Sequence, residues 1–524
     1  MNAFTVDKLR STPGPWLRHR AVRSAAVIAL GLAAVAASYS SAFRVPLYSD
    51  DFLFSQHFYN INDGSIVAAI ASGWDDQPQA GRFNPTGREF AAIYHVTAHA
   101  VAQSTDITLQ ASYRLGSLLL IILACAAGGA ALLQCLAFAS NRRTIRFPMA
   151  FALVSLFTAM LFQISPWSND ASITISEIGW GTPALSMLFI ALGFWAQREP
   201  LRYRRRILPL VLVGVGGVLF YETFVAAVAA IALLYFARLV SNRGRPQQKA
   251  QIALFVSGIG LPMIVFVLAR LYGSMREAAS SYQGTELELS ATGFKTLLFY
   301  LLGAAPGGSW LRSFRHTQSI NLTVESIATG LVLVAIVTGL ALLVRKSPRK
   351  QFKISRPWMW PAVVLCIYLI GATSMVSFNA KYIPLIQQVG DTYIINGLIS
   401  NCFAVVGAGL AVVFAARAKS RAVVFALVLP LTGLFIMCQQ SVNWSVATFE
   451  SKVSPINARV NYLSLKPTPQ EERCQALTEW VNTSEWTGMS WWQGYVDGVQ
   501  KNYERHFGEL FCAELPPELG PGGR

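Results

Sequence analysis

Charge is what this chain has least of. Only 13% of its 524 residues are Asp, Glu, Lys or Arg, and 53% are hydrophobic, whereas soluble globular chains carry about 25% charged residues. That scarcity excludes an ordinary soluble domain. Length alone would suggest three or four such domains, but apolar runs of about 20 residues, long enough to cross a bilayer, recur along the whole sequence. One polytopic all-α membrane unit is the better reading. A Gly-x-x-x-x-Gly-Lys phosphate cradle is also missing, which argues against ATP-driven transport. Internal repeats and low-complexity tracts are absent apart from a Pro/Gly-rich end. His57, His95, His99 and His316 lack a convincing metal-ligand spacing with any acid. Cysteine is sparse too: of seven, five (Cys125, Cys135, Cys366, Cys402, Cys438) fall in apolar runs. That leaves Cys474 and Cys512 as a disulfide pair if their compartment is oxidising.

What charge there is has a pattern. The net formal charge is +16, and 26 of the 43 Lys and Arg lie in six clusters: an N-terminal group, Arg142-Arg143-Arg146, and stretches within 198–206, 238–249, 345–356 and 417–421. Short basic connections between apolar runs mark cytoplasmic loops. Positive charge therefore sets topology here, and nothing points to nucleic acid. Eleven spans follow, at about 25–43, 108–138, 147–164, 181–196, two within 207–239, then 251–269, 324–344, 358–376, 393–416 and 422–438. The N-terminus is cytoplasmic, the first span is an anchor rather than a cleaved signal, and the C-terminus is periplasmic. Domain 1–438 is transmembrane, with long periplasmic loops at 44–106 and 270–323; 439–524 is a small periplasmic domain. Segments 61–74 and 90–103 have the spacing of interfacial helices. The run 207–239 is too long for one helix, and Tyr221-Glu222-Thr223 breaks it into two spans that meet at the outer surface.

Asp50 and Asp51 follow the first span closely. Two adjacent carboxylates at a low-dielectric boundary raise one another's pKa unless a cation or donor compensates, and such a group suits a general base or a divalent-metal ligand. The same Tyr48-Ser49-Asp50-Asp51 spacing also suits an interfacial turn and helix N-cap. Trp74, Gly81-Arg82 and Arg88 share the loop, and planar guanidinium groups match phosphate oxygens. Arg312, Arg315 and Lys381 are further outer-side cations. An acid in so apolar a stretch makes Glu222 a functional candidate with Tyr221. Asp170 and Glu177, in the loop 165–180, are weaker candidates for acceptor contact. The aromatic series Trp480, Trp486, Trp491, Trp492 and Tyr495 reads as the core of the C-terminal domain.

The carboxylate pair after the first span, followed by a surface helix, Trp74 and Gly81-Arg82, resembles the GT-C superfamily of polytopic glycosyltransferases. The likeness is strongest to bacterial membrane glucosyltransferases of O-antigen and related surface glycans. It is carried by the first loop and, more loosely, by the span layout to about residue 269. It implies a GT-C-like fold in the bacterial inner membrane, a polyprenyl-phosphate-linked sugar such as glucose as donor, and a glycan or glycolipid acceptor such as O-antigen. Membrane lipid and a companion donor synthase and flippase are the further partners it implies. Under it, Asp50 deprotonates the acceptor hydroxyl and Asp51 orients it, exchanges roles with it, or binds Mg or Mn where a metal is used. Arg82, Arg88, Arg312 and Arg315 hold the donor phosphate, with Trp74, Tyr221, Glu222, Asp170 and Lys381 as substrate contacts. The rival reading is a multi-pass transporter or flippase for a lipid-linked sugar or other polar substrate, a class that favours interrupted helices and mid-membrane charge.

Overall fold

The computed structural model describes residues 15–47, 49–75, 83–140, 145–164, 175–245, 247–275, 287–345, 359–391, 395–417, 421–453, 455–483 and 490–513. Among these the chain is all-helical, and it runs back and forth between two ends of one bundle. Helix α1 (Pro15–Tyr39) leads through a 3-10 turn (Ser40–Arg44) to three helices at the first end: α2 (Ser49–Ile61), α3 (Ile66–Asp75) and α4 (Pro85–Ser104). Helix α5 (Leu109–Ser140) leaves that end, α6 (Phe147–Leu161) returns, and α7 (Ser176–Arg198) leaves again.

The next two helices make a hairpin. Helix α8 (Arg204–Val218) starts beside the far end of α7, where Arg206 donates to the Trp195 carbonyl, and α9 (Val225–Ser241) comes back along α7, with the Tyr235 hydroxyl 3.1 Å from the Gly193 carbonyl. The break expected at Tyr221-Glu222-Thr223 is there, as a turn and a 3-10 segment (Glu222–Phe224). Glycine permits its tightness: a Cβ at Gly217 would lie 2.3 Å from the Phe224 ring.

Helices α10 (Gln248–Phe255) and α11 (Leu261–Met275), joined through a π turn, return to the first end. There the chain forms α12 (Ala291–Gly303) and α13 (Trp310–Thr317), departs along α14 (Val324–Arg345) and returns on α15 (Met359–Ser377). Helices α16 (Asn396–Arg417) and α17 (Arg421–Val453) make the last excursion, and α18 (Pro455–Leu463), α19 (Gln470–Thr483) and α20 (Ser490–Phe507) form a terminal lobe. The first end is therefore the lobe end; the described arginines of the 198–206 and 238–249 clusters mark the other as the basic end.

Among the described residues, eight helices, with α10 and α11 counted together, are long and apolar enough to cross a membrane. The chain is a polytopic helical membrane protein. The three remaining expected spans fall on α6, α8 and α17, which run alongside; α6 and α8 have 15 residues each. One boundary differs from expectation. Helix α17 passes without a break through the domain limit placed at 438 and continues to Val453. Its polar continuation is held by neighbours: Asn443 donates to the Phe162 carbonyl at 3.1 Å and accepts from the Ile164 amide at 3.1 Å.

A candidate active site at the lobe end

Arg114, fully buried in α5, shapes the approach to the acid pair. Its guanidinium donates to the carbonyls of Ala42 (3.1 Å), Val45 (3.0 Å) and Pro46 (3.1 Å). A buried charge is tolerable only when its donors are met, and these carbonyls belong to the turn that delivers α2. Both aspartates sit in the first turn of α2 rather than in a loop. The side chain of Asp50 lies outside the described residues.

Asp51 is fully buried, and its Oδ1 accepts the Ile175 amide at 2.8 Å. Ile175 opens α7 with a left-handed backbone, φ 50°, a conformation that costs a non-glycine residue about 1–2 kcal/mol. The carboxylate thus anchors a strained residue. Buried Glu177 stands two residues on. Tyr94 donates to the Tyr113 carbonyl at 2.9 Å, and its hydroxyl is held well above its usual pKa, first by burial and then by the charges of Asp51 and Glu177. Acids and tyrosines from α2, α4, α5 and α7 therefore meet in one buried cluster.

The rest of α2 is gripped from two sides. His95 and His99 of α4 face it: His95 stacks on Phe58 and its Nδ1 lies 2.5 Å from the Tyr113 hydroxyl, while His99 stacks on Tyr59 at 4.0 Å. Burial pushes both imidazoles down to about 3, so they are neutral packing groups. On the other side is the terminal lobe. Phe52 stacks on Tyr495 at 4.4 Å and meets Trp480 at 5.4 Å. Asn502 donates to both the backbone carbonyl and Oε1 of Gln56, at 3.0 and 2.9 Å. Gly498 permits this approach, since a Cβ there would lie 2.9 Å from the Gln56 backbone. A disulfide between Cys474 and Cys512 and the buried Arg473, which donates to the Phe511 carbonyl at 2.8 Å, close the lobe. Trp480 and Tyr495 form its core and also its contact with α2.

The candidate cations gather at the same end. Arg88 is half-buried on the first turn of α4, which docks on the α8–α9 turn through the Gly87 amide and Leu219 carbonyl (3.4 Å) and the Thr86 hydroxyl and Gly216 carbonyl (3.0 Å). In that turn Tyr221 is buried, and Glu222 pairs with Arg270 at 3.5 Å. Arg312 on α13 pairs with buried Asp391 at 3.0 Å, and Asp391 Oδ2 accepts the amides of Gln387 and Gln388. Arg315, exposed, donates to Gln388 Oε1 at 3.2 Å. Lys381 lies in the same connecting segment, its Nζ 5.5 Å from the Tyr382 ring centroid. Burial holds the Tyr300 hydroxyl well above its usual pKa, and the charges of Tyr382, Tyr221 and Asp391 add to the shift.

Of the residues singled out from sequence, Arg82 and Asp170 lie outside the described residues, as does the side chain of Trp74. Arg114 and Asp391 were missed. Arg114 hides inside an apolar run, and the one signal for Asp391 was the Gly390-Asp391 pair, where Gly390 has φ 97°. Among the described residues, no group of three or more His, Cys, Asp or Glu gathers as metal ligands. Compared with known proteins, the chain matches no family model, no curated protein and no solved structure.

Proposed function

We propose that this protein is a membrane glycosyltransferase of GT-C type, moving a sugar such as glucose from a polyprenyl-phosphate donor to a surface glycan such as O-antigen. The observation that carries the reading is the shared end. The acid-bearing start of α2, the Arg312–Asp391 pair, Arg315, Arg88 and the Glu222–Arg270 pair all lie where the bundle meets its terminal lobe. We read eleven crossings of a bacterial inner membrane, with the N-terminus in the cytoplasm and the lobe end in the periplasm. The basic clusters at the opposite end support that orientation, and the Cys474–Cys512 disulfide suits an oxidising side.

In this reading Asp50 takes the proton from the acceptor hydroxyl as its oxygen attacks the anomeric carbon. The bond from that carbon to the phosphate oxygen breaks with inversion, and the polyprenyl phosphate leaves carrying the electron pair. General-base help of this kind is worth about two to four orders of magnitude. Arg312 and Arg315, aided by Arg88, meet the charge that develops on the phosphate where water is scarce. Asp51, buried against the Ile175 amide, positions the helix rather than accepting the proton.

Mass analysis of surface glycans from cells carrying wild type or Asp50→Asn tests this. The expected result is loss of a hexose substituent with normal folded protein in the membrane. Unchanged glycans and glycolipids, with and without the protein, would refute it. Movement of a lipid-linked sugar across vesicles, without transfer, would favour the transporter reading instead.

A further inference from the structure

Helices α12 and α13 turn the wrong faces outward for a segment in water. On α12 the buried row is Gly293, Thr296, Tyr300 and Gly303, while Leu298 and Leu302 point away from the protein and the Phe294 ring, edge-on to Phe378, keeps its outer side exposed. On α13 the inner row is Ser313 and Thr317, and Leu311 and Phe314 face out. These five large apolar side chains are between 49% and 61% exposed. Polar contacts on the inner side fix the orientation. The backbone amide of Ser309 and its hydroxyl both donate to Gln163 Oε1, Trp310 Nε1 donates to Gln439 Oε1 at 2.7 Å, and His316 Nε2 lies 2.9 Å from Glu450 Oε1.

Helix α12 does not cross the bundle. Both its ends touch the segment 378–391 that joins α15 to α16 at the lobe end: Phe294 meets Phe378 at 4.9 Å between ring centroids, and Gly303 abuts Gly390. Its apolar row continues into Leu322 and Val324, exposed where the candidate span α14 begins. Charge is one-sided as well. From 291 to 323 the chain carries Lys295, Arg312, Arg315 and His316, and no Asp or Glu.

We propose that α12 and α13 lie in the lipid headgroup layer, with Phe294, Leu298, Leu302, Leu311 and Phe314 inserted among the upper acyl carbons and Lys295 reaching phospholipid phosphates. An amphipathic helix with basic residues at its flank binds a bilayer surface in this manner. The apolar row needs hydrocarbon, Lys295 needs phosphate oxygens, and the headgroup boundary is where both are within one side chain's reach. The placement holds whether or not the protein transfers sugars.

The test uses the full chain in phospholipid nanodiscs, with Cys366→Ser and Cys438→Ser to remove the accessible native thiols. Leu298→Cys and Phe314→Cys, both at surface positions, are labelled in turn with an environment-sensitive fluorophore; Glu504→Cys on the terminal lobe is the aqueous control. Expected are blue-shifted emission at 298 and 314 and stronger quenching by a spin label near the top of the acyl chain than by one near its methyl end. Emission and quenching equal to the Glu504→Cys control would overturn the proposal by placing the face in water. Blue-shifted emission that no lipid quencher reaches would overturn it too, because protein, from this chain or a second copy, would then cover the face.

Discussion

Replacing Arg114 probes how the acid helix is aimed. Three carbonyls of the turn before α2 accept from this guanidinium. In Arg114→Met the Ala42 carbonyl keeps a donor, the Val45 amide at 3.1 Å. Val45 and Pro46, both buried, lose theirs. A buried acceptor left unmet costs about 1–3 kcal/mol, so the expected loss is about 4 kcal/mol. Arg114→Lys should fall between, because one ammonium retains the charge but cannot reach all three oxygens. Thermal unfolding in detergent gives the order wild type, Lys, Met. Hydrogen exchange should show faster opening of residues 45–61 in Arg114→Met, with α14 to α16 unchanged. The reasoning fails if Arg114→Met melts within about 1 kcal/mol of wild type, below the cost of a single unmet carbonyl, or if exchange rises evenly across the protein.

Four further outcomes follow from the same geometry. His95 and His99 have folded pKa values near 3, below the unfolded value of 6.5, so between those limits the unfolded chain binds more protons and stability rises with pH. At pH 5 each should cost up to about 2 kcal/mol relative to pH 7, and a denaturation series in His95→Gln should show a shallower slope across pH 5–6.5. Gly87→Ala would put a Cβ 2.1 Å from the Phe220 carbonyl oxygen; the backbone must shift, and a melting loss of about 2 kcal/mol or more is expected. Cys474→Ala with Cys512→Ala opens a loop of 38 residues, worth about 4 kcal/mol of chain entropy, and limited proteolysis should then cut within 466–513 first. Under the transferase reading Arg312→Gln should depress sugar transfer at least tenfold with the protein still folded, measured with a lipid-linked donor in vesicles.

Most of the bundle was legible because a membrane imposes its own ruler. Apolar runs gave the helix positions, basic clusters gave the turns at one end, and Tyr221-Glu222-Thr223 marked the hairpin corner, since an acid there is cheap only at a surface. Helix α2 was harder to see. Its residues alternate between faces that bury against α4 and faces that bury against α20, so Tyr48-Ser49-Asp50-Asp51 read as a turn and helix N-cap but no single apolar stripe announced the helix that follows. Asp51 was legible as special, but not as structural; its partner, the Ile175 amide, lies 124 residues away and carries no side-chain signal. The same distance problem hid Arg114, whose three acceptors are backbone atoms that any sequence would supply.

The bonds from Asn502 to Gln56 span 446 positions. One of the first helices after the opening span is completed by one of the last. During synthesis the α20 side of α2, where Phe52 meets Tyr495 and Gln56 meets Asn502, must therefore wait until α20 has arrived at the same end. A truncated or stalled chain would carry its acids on a helix gripped from the α4 side alone.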